Sequence, residues 1–175
     1  MQPQKLRRTV SAKGWPQLIF ERFLWALPAA YALHIPEEYF TGFPTWVSRH
    51  MYASMDDLEF WTNNSLFMAI IVSLALWASR SRSPIAAFVF LSWASGNLFW
   101  NFIFHLVTTI TADSYSPGLV TAVLLYYPIS IWAGVLAVRD GRLSLGGVIG
   151  AFSIGAGLMM FVVWSALWKF QFPIA

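Results

Sequence analysis

The sequence predicts an all-α protein, a polytopic membrane helix bundle of about five transmembrane helices with N-in, C-out topology. The first observation is the composition, in which 58% of the 175 residues are hydrophobic and only 11% are charged. An ordinary soluble domain has about 25% charged residues. The second observation is five long apolar segments, and the third is the grouping of Lys and Arg in alternate connections. Together they exclude a soluble enzyme, a disordered chain and a nucleic-acid-binding protein.

Each predicted span is long enough to cross a hydrocarbon core, which takes about 20 apolar residues as a helix. The spans cover about residues 17–37, 60–79, 84–110, 117–138 and 145–169. They form a single transmembrane domain over 15–175, after a basic cytoplasmic tail over 1–14 and with an external connection over 39–59. Backbone polar groups must be satisfied within lipid, and alternating short strands are absent, so helices are expected.

The positive residues set the orientation of the spans. Eight of them fall in the N-terminal tail or in the connections after spans two and four. A cytoplasmic N-terminus and five crossings place all eight in the cytoplasm: Lys5, Arg7, Arg8, Lys13, Arg80, Arg82, Arg139 and Arg142. We therefore expect a multi-pass protein of the cell membrane, of the bacterial inner-membrane type. An alternative is a signal peptide cleaved near residues 30–32, which we do not favour because the polar cluster begins at His34.

Span five carries several glycines. Gly146 and Gly150 lie four residues apart, so they form a small-residue face on which another helix can approach closely. We expect this face to pack inside the bundle rather than to form a dimer interface.

Ionisable side chains inside membrane spans are costly and therefore mark functional candidates. His34, Glu37 and Glu38 stand at i, i+3 and i+4, which places them on one face of a helix. Asn101 and His105 lie four residues apart on span three and share a face in the same way. At a rise of about 1.5 Å per residue, the two histidines lie at one outer level. We expect these groups to meet in one pocket beneath the external surface.

The cluster has the composition of a metal site. The chain has no cysteine, so imidazole and carboxylate would be the ligands of a divalent ion such as Zn, Fe or Mn. A catalytic zinc ion has three protein ligands, and we expect His34, Glu38 and His105 to be those three. Glu37 would be the general base or a fourth ligand, and Asn101 would orient the substrate. Polar or aromatic residues at a similar depth on other spans are Asn63, Asn64 and Trp164.

Structural interpretations of the same residues stay open. Glu37 and Glu38 would then end the first span among lipid headgroups, and His105 would be a hydrogen-bonded interior histidine. Pro36 leaves two local geometries, because it either kinks the first span or opens a new surface helix whose first turn holds both acids. The external connection either lies on the membrane surface or caps the bundle.

Three motifs occur in a fixed order along the chain: His34-Ile-Pro-Glu37-Glu38, Asn101-Phe-Ile-Phe-His105 and Tyr115-Ser-Pro117-Gly118. They resemble the HxxEE, NxxxH and YxPG motifs of the HXXEE family of small prokaryotic integral membrane proteins. The resemblance covers about residues 31–118. It implies a functional site at His34, Glu37, Glu38, Asn101 and His105, with Tyr115 as a further member, and it implies no particular reaction.

The favoured function is a membrane-embedded, metal-dependent enzyme of hydrolase type whose site faces the extracytoplasmic side. Its substrate would be a lipid, an isoprenoid or another amphiphile; membrane lipid is the expected partner, nucleic acid is not, and the oligomeric state stays open. One alternative is a metal-independent isomerase or cyclase, in which a protonated Glu37 or Glu38 donates to an alkene or epoxide. There the ring of Trp100 or Trp164 would stabilise a carbocation. A transporter or assembly subunit ranks third, because no inverted repeat is visible.

Overall fold

The computed structural model describes residues 19–51 and 53–168, with side chains through Ser165. The helices in this part of the chain are α1 Ile19–Phe23, α2 Ala26–Phe40, α3 Phe43–His50, α4 Asp57–Ser81, α5 Pro84–Thr111, α6 Leu119–Arg139 and α7 Leu145–Trp168. No strand occurs among these residues, so the all-α prediction is confirmed for them. The predicted basic tail over 1–14 lies outside the described residues.

Four of the described helices, α4 to α7, are long and apolar enough to cross a membrane. Their ends lie close to the predicted ones, and the start of α4 differs most, because a polar cap adds a turn before the apolar stretch. Asp56 Oδ1 accepts a hydrogen bond from the backbone N of Glu59 at 2.7 Å, and Glu59 Oε2 accepts from the backbone N of Asp56 at 3.3 Å. This reciprocal capping box fixes the start of α4.

The first apolar segment is not one continuous helix, so the predicted span over 17–37 is wrong in this respect. The chain turns at Leu24 and Trp25, between α1 and α2, and the helix then continues to Phe40. Pro28 accounts for the turn. A proline has no backbone N–H to donate to the carbonyl four residues earlier, and its ring clashes with that carbonyl; here the carbonyl belongs to Leu24.

The α1–α2 segment nevertheless runs the length of the bundle. At one end, the backbone N of Phe20 donates to Oδ2 of Asp140 at 2.9 Å, directly after α6. At the other end, Glu37 accepts hydrogen bonds from the first turn of α6. The segment is therefore antiparallel to α6 along its whole course.

Pro36 lies inside α2, which continues past it to Phe40. The interpretation in which Pro36 opens a new surface helix is therefore wrong. Both acids of the motif belong to the same helix as His34, so the expected spacing of one helical turn holds.

The connection predicted over 39–59 caps the bundle, which was one of its two predicted outcomes. It contains α3, whose Trp46 and Val47 are buried together with Ala53 in a small apolar cluster. Phe104 and Ala112, from the end of α5 and the loop that follows, pack against this cluster. The cap therefore lies next to the part of α5 that carries His105.

Helices α5 and α6 each contain one π-helical turn, at Gly96–Trp100 and Ala122–Tyr126. The two turns contact each other. Such turns are rare and occur often at functional sites. Asn101 follows the first turn directly and Tyr126 ends the second, so both border the predicted polar cluster.

Helix α7 approaches α5 most closely at Gly155. A Cβ added to Gly155 would collide with Oγ of Ser95 and stand 2.8 Å from the backbone N of Gly96. The two backbones are therefore as close as glycine permits. Of the small-residue face predicted from Gly146 and Gly150, Gly150 also faces α5, because its ideal Cβ would stand 3.6 Å from the ring of Phe88. A Cβ at Gly146 would meet only a serine of the preceding loop, at 3.9 Å.

Candidate metal centre

Three buried side chains meet between α2 and α5, close to the start of α6. His34 and His105 are 0% exposed and Glu38 is 5% exposed. The Nε2 atoms of both imidazoles lie 3.3 Å from the same oxygen, Oε1 of Glu38. Possible ligand atoms of the three residues all lie within 4.8 Å of one another. The structure thus brings together the three residues that the sequence predicted as metal ligands.

Each imidazole is held at its other nitrogen by a hydroxyl group. His34 Nδ1 lies 2.7 Å from Oγ1 of Thr121, and His105 Nδ1 lies 2.9 Å from Oγ of Ser116. The Thr121 hydroxyl donates its own proton to the carbonyl oxygen of Gly118 at 3.3 Å, so it accepts a proton from Nδ1 of His34. In the neutral imidazole, the other ring nitrogen, Nε2, then carries a lone pair that faces the Glu38 carboxylate.

Neither Nε2 atom has a well-directed hydrogen-bond partner among the described residues. A lone pair and a carboxylate oxygen are both acceptors, and two buried acceptors at this distance repel unless a proton or a cation lies between them. A histidine that ligates a metal through one nitrogen almost always donates a hydrogen bond from the other. The donor set therefore fits a divalent cation.

Gly118 explains how the YxPG motif contributes to this centre. Its φ of +105° is in the left-handed region that favours glycine. A Cβ at Gly118 would stand 2.7 Å from Cε1 of His34 and 2.9 Å from both Cγ of Glu38 and Cε1 of His105. All three motifs thus meet at this residue, and a side chain here would fill the space of the cluster.

Glu37 lies outside the histidine cluster and accepts three hydrogen bonds. Oε1 accepts from the Tyr115 hydroxyl at 2.5 Å and from the backbone N of Val120 at 3.0 Å, and Oε2 accepts from the backbone N of Thr121 at 2.7 Å. The first N–H groups of a helix have no partner within it and attract negative charge. These hydrogen bonds connect α2 to the start of α6, and Glu37 is not one of the three residues whose possible ligand atoms lie within 4.8 Å of one another.

Tyr115 lies in the loop between α5 and α6 and is 44% exposed. Partial burial, followed by its hydrogen bond to the Glu37 carboxylate, raises the pKa of Tyr115 to about 12. Burial disfavours the phenolate, and the neighbouring negative charge does so as well. Tyr115 therefore stays a neutral donor at physiological pH.

A cavity of about 700 Å³ adjoins the cluster, between α2, α3, α4, α5 and α7. Glu38 lines the cavity, and so does Asn101, which stands one helical turn before His105. Oδ1 of Asn101 is buried and has no partner in the described part of the chain. The two histidines are not among the lining residues, so Glu38 is the member of the cluster that a molecule in the cavity would meet.

Three residues beside the cluster were missed as site members by the sequence argument. Ser116 and Thr121 hold the imidazoles, and their signal was the presence of hydroxyls inside and just after the YxPG motif. The ring of Tyr126 packs on His34 with centroids 4.3 Å apart.

The tryptophans predicted to face a substrate do not line this cavity, as far as the structure describes the chain. Trp100 donates its ring N–H to the carbonyl oxygen of Phe152 at 2.7 Å. Trp164 packs against Phe161 instead, with ring centroids 6.1 Å apart. The aromatic wall of the cavity is built from other residues.

Comparison with known proteins agrees with the motif resemblance. The family described as "Protein of unknown function with HXXEE motif" matches residues 25–133, a range that includes all three motifs. No curated protein and no solved structure matches the chain. The match covers more than half of the 175 residues, and the chain therefore belongs to the HXXEE family.

Proposed function

We propose that the protein is a membrane-embedded, metal-dependent enzyme of hydrolase type that acts on an amphiphile. One observation carries the proposal: two buried Nε2 atoms, which lack hydrogen-bond partners among the described residues, converge on a single carboxylate oxygen of Glu38. The cavity beside this carboxylate supports the choice of an enzyme over a purely structural ion site, because it gives a substrate access to the cluster.

His34, Glu38 and His105 would hold the divalent ion, and two imidazoles with one carboxylate suit Zn, Fe or Mn. Such an ion supplies a Lewis acid and an activated water for hydrolysis. Asn101 shares the cavity wall with Glu38 and would bind the substrate. Glu37 and Tyr115 would keep α2 and the start of α6 in register, so that His34 stays in place.

We infer five crossings with a cytoplasmic N-terminus. The α1–α2 segment supports the fifth crossing, because it runs the length of the bundle. Basic groups meet at one end, where Arg142 Nη1 donates to the carbonyl oxygen of Arg82 at 2.5 Å. Asp56 and Asp113 lie at the opposite ends of α4 and α5. By the positive-inside rule the basic end is cytoplasmic, and the site then faces the extracytoplasmic side.

Metal analysis of the full chain, purified in detergent without a chelator or a histidine tag, tests the metal centre. We expect about one transition metal per chain in the wild type, and its loss in His105→Ala and Glu38→Gln. His50→Ala is the matched control. His50 is the one histidine of the three in the chain that lies outside the cluster, and it lies on α3 with Nδ1 3.1 Å from the carbonyl oxygen of Trp46. A folded wild-type protein that takes up no Zn, Fe or Mn on dialysis would contradict the proposal.

A metal-independent isomerase or cyclase is the second candidate, and the aromatic wall of the cavity favours it. Phe60, Phe67 and Trp93 are among the residues that line the cavity, and aromatic faces stabilise cationic species. Glu38 and the two histidines would then relay a proton instead of binding an ion. A metal-free protein that still requires Glu38 for its cellular function would favour this second candidate.

A further inference from the structure

The cavity beside Glu38 collects every asparagine of the chain. The sequence contains four, Asn63, Asn64, Asn97 and Asn101, and all four line this cavity. They come from two helices, α4 and α5. We call these four side chains the asparagine wall of the cavity. An amide offers both donors and acceptors without carrying a charge, so this wall is suited to a polar group that is itself uncharged.

Part of the hydrogen-bonding capacity of the wall is used within the protein. Asn64 accepts from the Tyr31 hydroxyl at 2.7 Å, and Nδ2 of Asn97 donates to the carbonyl oxygen of Trp93 at 3.0 Å. Among the described residues that line the cavity, two have a buried atom without a hydrogen-bond partner: Asn101 has the acceptor Oδ1 and Trp93 has the donor Nε1. Leaving such atoms unpaired is unfavourable, so a ligand that both donates and accepts would stabilise the wall.

The charges around the cavity restrict the ligand further. None of the described residues that line it is Lys or Arg, and its carboxylates are Glu38 and Glu59. A phosphate or carboxylate headgroup taken out of water requires a cation or several directed donors to compensate for its desolvation. In the metal-free protein, an anionic headgroup next to these carboxylates would be repelled instead.

We infer that the cavity binds a single-chain amphiphile with an uncharged, hydrogen-bonding headgroup, such as a hydroxyl, ester or amide, recognised by the asparagine wall. Apolar residues such as Phe67, Leu158 and Phe161 line the remainder and would take the chain. A volume of about 700 Å³ is that of a pocket for one small ligand. The inference deepens the proposed function by naming its substrate class, but binding at this wall does not require the metal.

Photoaffinity labelling of the full chain, kept metal-free with a chelator in detergent micelles, tests this assignment. The two probes are monooleoylglycerol and oleoyl lysophosphatidic acid, each carrying the same diazirine in the acyl chain. We expect the neutral probe to label peptides that contain cavity residues, and unlabelled monooleoylglycerol to compete. Labelling of these peptides by the phosphate probe should be roughly tenfold weaker.

Asn101→Leu should reduce labelling by the neutral probe. Ser73→Leu is its matched control, because Ser73 lies on α4 outside the lining residues and its hydroxyl donates to the carbonyl oxygen of Ala69 in its own helix at 2.7 Å. Equal or stronger labelling by the phosphate probe would overturn the inference, and so would undiminished labelling of a folded Asn101→Leu protein. The probe comparison on the wild type needs no variant and remains decisive if Asn101→Leu misfolds.

The same labelling on His105→Ala separates the two proposals. If wild type and His105→Ala both prefer the neutral probe while neither binds metal, the substrate class stands and the metal-dependent function fails. If the wild type binds metal but labels equally with both probes, the metal centre stands and the inference about the headgroup fails.

Discussion

Gly118 and His34 lie so close together that one added carbon at Gly118 would stand 2.7 Å from Cε1 of the imidazole. Because the backbone of Gly118 is also left-handed, Gly118→Ala should both strain the loop and displace His34. We expect a loss of about 1–2 kcal/mol from the backbone and about 1–3 kcal/mol from overpacking. Bound metal should be lost as well. Thermal unfolding and metal analysis measure the two effects.

Gly141→Ala is the control for the backbone strain. Gly141 has a φ of +68°, and no described atom lies within 4 Å of its ideal Cβ, so this variant should lose only the backbone contribution and keep its metal. Equal behaviour of the two variants would mean that the contact between Gly118 and the cluster is unimportant.

Glu37 and Glu38 are adjacent, and their replacement should have opposite consequences. In Glu37→Gln an amide N–H group faces the donors at the start of α6, so the free energy of unfolding should fall by about 1–3 kcal/mol while most of the metal is retained. In Glu38→Gln the metal should be lost. Unfolding of both variants in detergent micelles measures the loss of stability, and elemental analysis measures the bound metal. If Glu37→Gln lost its metal without loss of stability, Glu37 would be a ligand after all.

The titration of Tyr115 should make the stability of the folded protein fall at high pH. The raised pKa of about 12, against an ordinary value of 10.0, means that the folded protein holds this proton more tightly than the unfolded chain. The resulting stabilisation is fully present below the ordinary pKa and is lost as the pH rises toward the folded value. The near-ultraviolet phenolate difference between wild type and Tyr115→Phe should therefore appear near pH 12.

The same titration in the Glu37→Gln variant tests whether the Glu37 carboxylate causes the raised pKa of Tyr115. Removing the neighbouring carboxylate charge should move the pKa of Tyr115 back toward its ordinary value. A Tyr115 step near the ordinary pKa in the wild type would show that the hydroxyl does not donate to Glu37.

Two glycines of α7 that lie two residues apart should respond in opposite ways to alanine. Gly155→Ala forces α7 away from Ser95 and Gly96, and we expect a loss of about 1–3 kcal/mol. Apart from its chain neighbours and the backbone of its own helix, no described atom lies within 4 Å of an ideal Cβ at Gly157. Gly157→Ala should therefore be neutral or stabilising by about 0.5–1 kcal/mol, since alanine favours the helix. Equal destabilisation by both would contradict the close contact of α5 and α7.

The meeting of His34 and Glu38 with His105 could be predicted because ionisable groups in membrane spans turn away from lipid toward the bundle interior. The spacing of residues along α2 could not show which of the two acids, Glu37 or Glu38, faces the histidines. Adjacent residues differ by about 100° around the helix axis, and this rotation decides that Glu38 faces α5 while Glu37 faces α6. The orientation depends on how the helices pack, which the spacing does not contain.

The partners of the imidazoles depend on the path of the loop before α6, and a motif does not specify that path. Ser116 and Thr121 reach the two rings only because Gly118 lets the loop pass close beneath them. The π-helical turns leave no trace in the pattern either. Spans three and four contain few polar residues, so the sequence shows no clear hydrophobic stripe whose change of direction would mark the extra residue.

The π-helical turn at Gly96–Trp100 determines which way the later side chains of α5 point around the helix axis. Its wider turn takes up one residue more than an α-helical turn, and one residue corresponds to about 100° of rotation. Gly96, which contacts α7, and His105, which contacts Glu38, therefore both point inward because of that one residue. Loss of a single codon within this turn would therefore restore a plain α-helix with Asn101 and His105 still facing inward. Straightening the turn without such a loss would swing both side chains toward lipid and disable the centre, with every one of its members still encoded.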